Sequence, residues 1–564
     1  MLRPADIDDI TWEVLTAANT GDVAAMRSLL AEDPARSQSG YFYTPPIHFA
    51  VREGHTEIVQ MLLNAGADSE WNGHYGASLI DLAKERDHED IVKLLEQARA
   101  VRGRTPPAET REDHPIHIAA EAGDVRRVRE LLDADPSLVN RGDRAGGTPL
   151  HRAAAGSSRE VIELLLERGA NIHAIHGVGL GASSGFSPDD VQAIDIALWG
   201  GFGNRRSPSL SRILVGSLRY WFWCRWRNNR PHPRDAGTAR LLLERGATYD
   251  LTVAAALGDL DRVKAILDKE PDQIRIARPN GRRALTTAVE FGHDDIARLL
   301  LERGADPTWP ELNAERGGAL HAAARAGNRT LVELLLAHGA DPNAHSDSGG
   351  NSVFAAKTRE LRALLEAHGG TLDPYDLVWM DEDDEVMRRV TADPKSAELG
   401  CGGVFTAVVT RGKRDLLKRL LDAGIRVPNV VTGCQSYILE QPDMLRTLLD
   451  HGMNPDTCNW QGQTMLHMLC RQDPDGKDAE LNRLRAGMLL DAGANISARE
   501  DQFSATPLGW AALNKNIGML RFLLSRGAPT NLPDDKPWAT PLAWATKRGH
   551  TEIVRMLRDA GAKA

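Results

Sequence analysis

Five histidines, His48, His117, His151, His321 and His467, occupy the same slot of a recurring phrase, complete as Thr148-Pro149-Leu150-His151-Arg152-Ala153-Ala154. Imidazoles could serve as metal ligands or general bases. Elsewhere, however, the slot holds Thr286, Gly509 or Ala543, so no single chemical job repeats with the phrase. A periodic histidine is read here as a structural one.

Other candidate chemistry falls to similar arguments. Gly177-Val178-Gly179-Leu180-Gly181-Ala182-Ser183-Ser184-Gly185 is glycine-rich but lacks a Gly-Lys-Ser/Thr ending and follows no expected strand, so it reads as a connection. The acidic run Asp381–Glu385 lacks the spaced ligands and glycine of a calcium loop, and suits the positive end of the helix that follows. The five cysteines, Cys224, Cys401, Cys434, Cys458 and Cys470, form no C-x-x-C pair. They fit free thiols in a reducing, cytoplasmic setting rather than a zinc or redox site. No catalytic residue, metal site or cofactor is nominated, and an enzyme is not expected.

The least average segment is 200–235. From 200 to 234 it carries eight arginines, at 205, 206, 212, 219, 225, 227, 230 and 234, and no acidic residue. Tyr220, Trp221, Phe222, Trp223 and Trp226 are interleaved with them. Arg219, Tyr220, Trp221, Trp223, Arg225, Trp226 and Arg227 form its densest part. This pattern suits an anionic surface, lipid or nucleic acid. It suits better aromatics packed on the neighbouring repeats with wet arginines, since insertions between repeat helices are usually surface loops.

Short helices must position all these residues. In 45–68, Pro45-Pro46 opens a helix whose apolar side is Ile47, Phe49, Ala50 and Val51. Gly54 turns the chain, and Ile58, Val59, Met61, Leu62 and Leu63 recur at helical spacing in a second helix stopped by Gly66. Such glycine stops recur at 66, 169, 246, 304, 339, 369, 424, 452, 493, 527 and 561, the last three 34 residues apart. Four units close instead on an acid and a proline: Asp33-Pro34, Asp135-Pro136, Glu270-Pro271 and Asp393-Pro394.

The phrase, the paired helices and the Gly-Ala-Asp-like stops resemble the ankyrin repeat, whose signature is T-P-L-H-x-A with a period of about 33 residues. The acid–proline closures and the excess of arginine over lysine look like the bacterial style of that family. The resemblance implies an all-α ankyrin solenoid of roughly sixteen helix-turn-helix units with hairpin-like tips and one long insertion. The expected segments are 1–199, the insertion at 200–235, 236–370, a degenerate 371–460, and 461–564.

The resemblance also implies a protein partner, gripped by hairpin tips and the inner side of the first helices. By motif position the tips include His74, Tyr75, Asp143, Arg144, Asp347, Trp460, Phe503 and Trp538, and the inner positions include Arg52, Glu121, Glu290, Arg325 and Lys547. Trp510 and Trp544 fall in an apolar slot and are expected to pack between repeats. With 42% hydrophobic and 26% charged residues and a net charge of -10, general nucleic-acid binding is not expected. Neither a signal peptide nor an apolar run of about 18 residues is evident. A monomeric, non-catalytic scaffold is the expectation; its alternative is a module docking on an anionic surface through 200–235.

Overall fold

The computed structural model describes the chain apart from residues 4–6, 8, 39, 42–43, 70, 72–77, 103–113, 144–145, 177–190, 200–234, 279–280, 310, 312–313, 315, 346–349, 401, 432–433, 472–477 and 564. Thirty-two α-helices run through the described residues as sixteen consecutive pairs. Isolated bridges such as Glu311 with Ala314 and Cys458 with Thr464 are the described extended pairings, so the fold is all-α. The helices gather into two compact units. One is Glu13–Thr371; the other is Leu372–Ala564 together with Met1–Trp12.

The pair Pro46–Glu53 and Thr56–Asn64 shows how sequence dictates the element. Pro46 opens the first helix, where a missing N–H costs nothing. Ile47, Phe49, Ala50 and Val51 are fully buried on one helix and Ile58, Val59 and Leu62 on its partner. A buried side chain of that size contributes roughly 2 kcal/mol, and two short helices alone cannot cover it. First helices therefore pack on first helices and second on second along the stack.

All eleven expected glycine stops adopt positive φ, between 81° at Gly452 and 100° at Gly246. The four acid–proline closures become 3-10 turns, Pro34–Gln38, Pro136–Asn140, Pro271–Arg275 and Pro394–Glu398. In two of them an aspartate caps the turn: Asp135 accepts from the Ser137 N–H at 3.0 Å and Asp393 from the Lys395 N–H at 3.1 Å.

Between repeats runs a second device. The histidine after a first-helix glycine reaches back to the preceding unit: His55 Nε2 lies 3.1 Å from the Asn19 carbonyl, and His293 Nε2 lies 3.3 Å from the Ala256 carbonyl. The ring sits close against the turn glycine of the preceding unit, Gly21 for His55 and Gly258 for His293. At Gly54 (φ 82°) an added Cβ would meet the His88 ring at 2.7 Å, whereas at Gly66 (φ 99°) it would meet nothing within 4 Å. Gly66→Ala is thus expected to cost about 1 kcal/mol of left-handed strain alone. Gly54→Ala is expected to cost about 2–3 kcal/mol, because it also displaces His88 from the Arg52 carbonyl. Urea melts of the two variants with equal losses would contradict this.

The first helix Ser352–Ala355 has only four residues, as befits a stretch lacking the Pro-Leu-His phrase. The expected packing role of the two tryptophans holds: Trp510 and Trp544 are 1% exposed, with Phe503 set edge-on between them at 5.4 and 5.6 Å.

Candidate functional site

The phrase histidines line a polar spine. His151 Nδ1 accepts from the Thr148 N–H at 3.1 Å, so the proton sits on Nε2, which donates to the Val191 carbonyl of the next unit at 3.1 Å. His467 repeats the arrangement with Thr464 and the Ala505 carbonyl, and His117 Nε2 lies 2.8 Å from the Arg141 carbonyl. Burial holds the imidazolium form out of reach, with His151 pushed down to about 3 and His467 to about 4. These rings are spent on holding neighbours together.

Where the slot is not histidine, other groups complete the spine, and sequence reasoning missed them. At Thr286 the side chain is short, and Glu311 reaches back from the following tip. Its Oε1 accepts from the Thr286 hydroxyl and from the Gly318 N–H at 2.7 Å. Burial pushes the Glu311 carboxyl up to about 7. At Asp195, Oδ2 accepts from the Gln192 N–H at 2.8 Å. Arg278 Nη2 stands 2.9 Å from Asp195 Oδ1, an ion-pair contact whose angle is not that of a hydrogen bond. Arg278 Nη1 donates to Asp250, the carboxylate that also caps the next first helix through the Val253 N–H. Arg278 and Asp195 are 3% and 4% exposed at their side chains. At Asp376, burial and the neighbouring Asp373 carboxylate raise the carboxyl. The signal for all three was the departure from histidine in a periodic slot.

Several expected contact residues are buried instead. Arg52 is 3% exposed; its Nε holds Glu53 at 2.7 Å and its Nη2 holds Asn19 at 2.6 Å. Asp143, 1% exposed, pins its own hairpin by accepting from the Gly147 N–H at 2.8 Å and from Arg152. Trp460 is buried, and Phe503 is the wedge between Trp510 and Trp544. The expectation of exposure is corrected at these four: at a tip or inner turn, an aromatic or charged group that finds partners in its own hairpin or in the adjacent repeat is drawn in. His74, Tyr75, Arg144 and Asp347 lie outside the described residues, as do the glycine-rich segment and all of 200–234 with Arg219, Tyr220, Trp221, Trp223, Arg225, Trp226 and Arg227.

Glu121, Glu290, Arg325, Trp538 and Lys547 keep exposed surface. In the unit Glu13–Thr371, Glu121 pairs with Arg152 at 3.1 Å, and Glu290 with Arg282 at 2.9 Å. The Arg282 guanidinium lies 5.0 Å over the Trp199 ring, and its neighbour Arg283 lies 5.4 Å over Trp309. These half-exposed arginine–tryptophan stacks were not nominated from sequence. In the other unit, Trp538 meets Trp544 edge-on at 6.0 Å under the Lys536 ammonium. Such faces suit recognition, since Trp and Arg concentrate binding energy at interfaces.

Among the described residues no group of His, Cys, Asp and Glu is arranged to hold a metal ion. Burial pushes the Cys434 thiol up to about 12 and the Cys458 thiol to about 11, which keeps both protonated and weakly nucleophilic. The Asp381–Glu385 run opens the helix Asp383–Ala392 and pairs with Arg411, Lys413 and Arg419. No described helix is long and apolar enough to cross a membrane.

Comparison with known proteins agrees with this architecture. The model for ankyrin repeats (3 copies) matches residues 14–102, 101–176, 251–346 and 479–564, more than half of the chain. A probable E3 ubiquitin-protein ligase of rice, XBOS33, is 28% identical over 211 residues, covering 29% of this chain and 39% of the relative. Ankyrin repeat and SAM domain-containing protein 6 of zebrafish is 27% identical over 161 residues, 28% of this chain and 21% of the relative. A putative ankyrin repeat protein of fowlpox virus, FPV014, is 28% identical over 165 residues, 29% of this chain and 36% of the relative. The chain thus matches well under half the length of each.

Proposed function

This chain belongs to the ankyrin-repeat family, and we propose that it is a non-catalytic scaffold or inhibitor holding a partner protein along the inner-helix face of its repeats. The observation that carries the reading is that one repeat position, taken in each unit by itself, keeps a charged residue with exposed surface. Glu121, Glu290 and Arg325 belong to one unit and Lys547 to the other, beside arginine–tryptophan stacks of the kind that anchor interfaces. The neutral histidines and protonated thiols support binding rather than turnover. The free buried thiols support a cytoplasmic setting. The E3 ligases among the relatives suggest a role in presenting a captured protein to other machinery. The acid–proline closures support the bacterial-type reading of the array, while the relatives named above come from a plant, an animal and a poxvirus.

The test is affinity capture from the native cell, with partners identified by mass spectrometry. Three baits are used: the wild-type chain, the inner-face triple variant Glu121→Lys/Arg325→Glu/Lys547→Glu, and a deletion of 200–234. The triple variant is expected to lose the captured protein and the deletion to retain it. The reverse pattern would replace this reading with docking through the arginine/aromatic insertion.

A further inference from the structure

We infer that the hairpin tips at Trp460 and Asp501 form a seat for the amino-terminal residue of a partner polypeptide, one with a free α-amine and an apolar first side chain, taken in exchange for the Met1 that fills it in this chain.

The seat lies within the unit made of Met1–Trp12 and Leu372–Ala564. Backbone bonds tie its tips together. The Val431 N–H donates to the Cys458 carbonyl at 2.9 Å, the Cys458 N–H to the Asn429 carbonyl at 3.0 Å, and the Asp501 N–H to the Gln461 carbonyl at 2.8 Å. Side chains hold each tip in shape. Asn459 Oδ1 accepts from the Gln461 and Gln463 N–H groups, both at 3.0 Å. The buried Glu500 carboxylate accepts from those of Gln502 and Phe503 at 2.7 and 2.9 Å.

Against this rigid edge the Leu2 N–H donates to the Trp460 carbonyl at 2.9 Å, and the Met1 ammonium stands 3.0 Å from Asp501 Oδ2. The Met1 side chain is 3% exposed. Leu2 is 44% exposed, and the exposed Arg3 pairs with Asp9. The contacts therefore select the first residue and leave the next two side chains unread.

Spacing decides the class of ligand. A carboxylate and a carbonyl together read an ammonium and an amide N–H only two carbon atoms apart. That is the start of a polypeptide, not the end of a lysine side chain. Addition of extended backbone to an edge and capture of a terminal amine are both recurring modes of peptide recognition. The neighbouring charges leave Asp501 to the amine. Arg499 is spent on Asp534 and Asp535 at 2.5 and 2.6 Å, and Asp456 accepts from the Asn495 N–H at 2.8 Å. A phosphate, of lipid or nucleic acid, would meet Asp501 with like charge. One hydrogen bond and one partly exposed ion pair make a light tether, so the seat can change occupant. It belongs to the tips and not to the inner helices, so it stands or falls apart from the inner-face reading.

The test uses the full chain and the peptide Met-Leu-Arg-Pro-Ala-Asp, labelled with fluorescein at its carboxyl end, followed by fluorescence polarisation. The Nα-acetylated peptide and one beginning with aspartate are the comparison probes. Leu2→Pro lacks the donor for Trp460 and vacates the seat, whereas in wild type the tethered Met1 competes at a local concentration on the order of millimolar. Leu2→Pro is expected to bind the free-amine peptide at least about tenfold more tightly than it binds either comparison probe, and than wild type binds the same peptide, a difference of about 1.4 kcal/mol. Leu2→Pro/Asp501→Asn is expected to lose about tenfold, and the remote Leu2→Pro/Asp559→Asn nothing. Matching thermal melts show that folding is not the cause; if the Asp501 variant misfolds, the comparison of free and acetylated peptides decides alone. Equal binding of those two peptides, no binding by Leu2→Pro, equal binding by wild type and Leu2→Pro, or no loss from Asp501→Asn each overturns the assignment.

Discussion

Arg278→Met is expected to remove about 3–5 kcal/mol from the stability of the unit Glu13–Thr371. The guanidinium serves two carboxylates, Asp195 at 2.9 Å and Asp250, from a side chain that is 3% exposed. Methionine fills similar volume, so the loss is not a cavity effect but the cost of leaving a buried carboxylate without its counter-charge. Burial already raises the Asp195 carboxyl with Arg278 opposing, so removing Arg278 drives Asp195 towards the protonated form. The double variant Arg278→Met/Asp195→Asn should therefore recover part of the loss, although Asp250 also loses its arginine. Urea unfolding, with fluorescence and hydrogen exchange resolving this unit, is the measurement. A loss under about 1 kcal/mol would mean that the cluster is far wetter than its burial indicates.

Acidification from pH 7 to 4.5 should move the variants His151→Gln and Glu311→Gln in opposite directions relative to wild type. His151 titrates near 3 when folded and near 6.5 when unfolded. Between those values the unfolded chain binds the extra proton, so stability falls as pH falls. Glu311 titrates at about 7 when folded against 4.5 unfolded, so between 4.5 and 7 the folded chain binds the extra proton and stability rises as pH falls. At about 1.4 kcal/mol per pH unit, each contributes about 2–3 kcal/mol over this range, with opposite sign. The two lie in the same unit, and in wild type their contributions oppose each other. Glu311→Gln unmasks the histidine and becomes acid-sensitive; His151→Gln leaves the glutamate unopposed and gains on acidification. Groups common to all three proteins drop out of the differences. Parallel pH profiles for the three chains would show that neither group is desolvated as the geometry implies.

Much of the architecture could be read along the chain because the repeat enforces local rules. A glycine after an apolar helix needs positive φ whatever surrounds it, so all eleven stops were legible. The acid–proline closures were legible for the same reason. The tryptophans at 510 and 544 were legible because they replace residues in an apolar slot. The histidines declared themselves structural by periodicity alone.

The surface was less legible. Motif position locates a residue on the inner turn or at a tip, but its exposure depends on what the next repeat offers within reach. Arg52 found Glu53 and Asn19 and was drawn in, whereas Arg325, at the equivalent position, keeps part of its surface exposed. The Asp195–Arg278 bridge links residues more than eighty positions apart and leaves no local trace beyond a missing histidine.

Periodicity along the chain suffices for the helix pairs, their stops and their stacking, since each arises from contacts within one repeat or with the next copy of the same phrase. Whether a given charge is consumed inside the stack or left for a partner depends on pairings between non-identical side chains across repeats. Those pairings follow from distance and desolvation in the folded chain, which no spacing rule encodes.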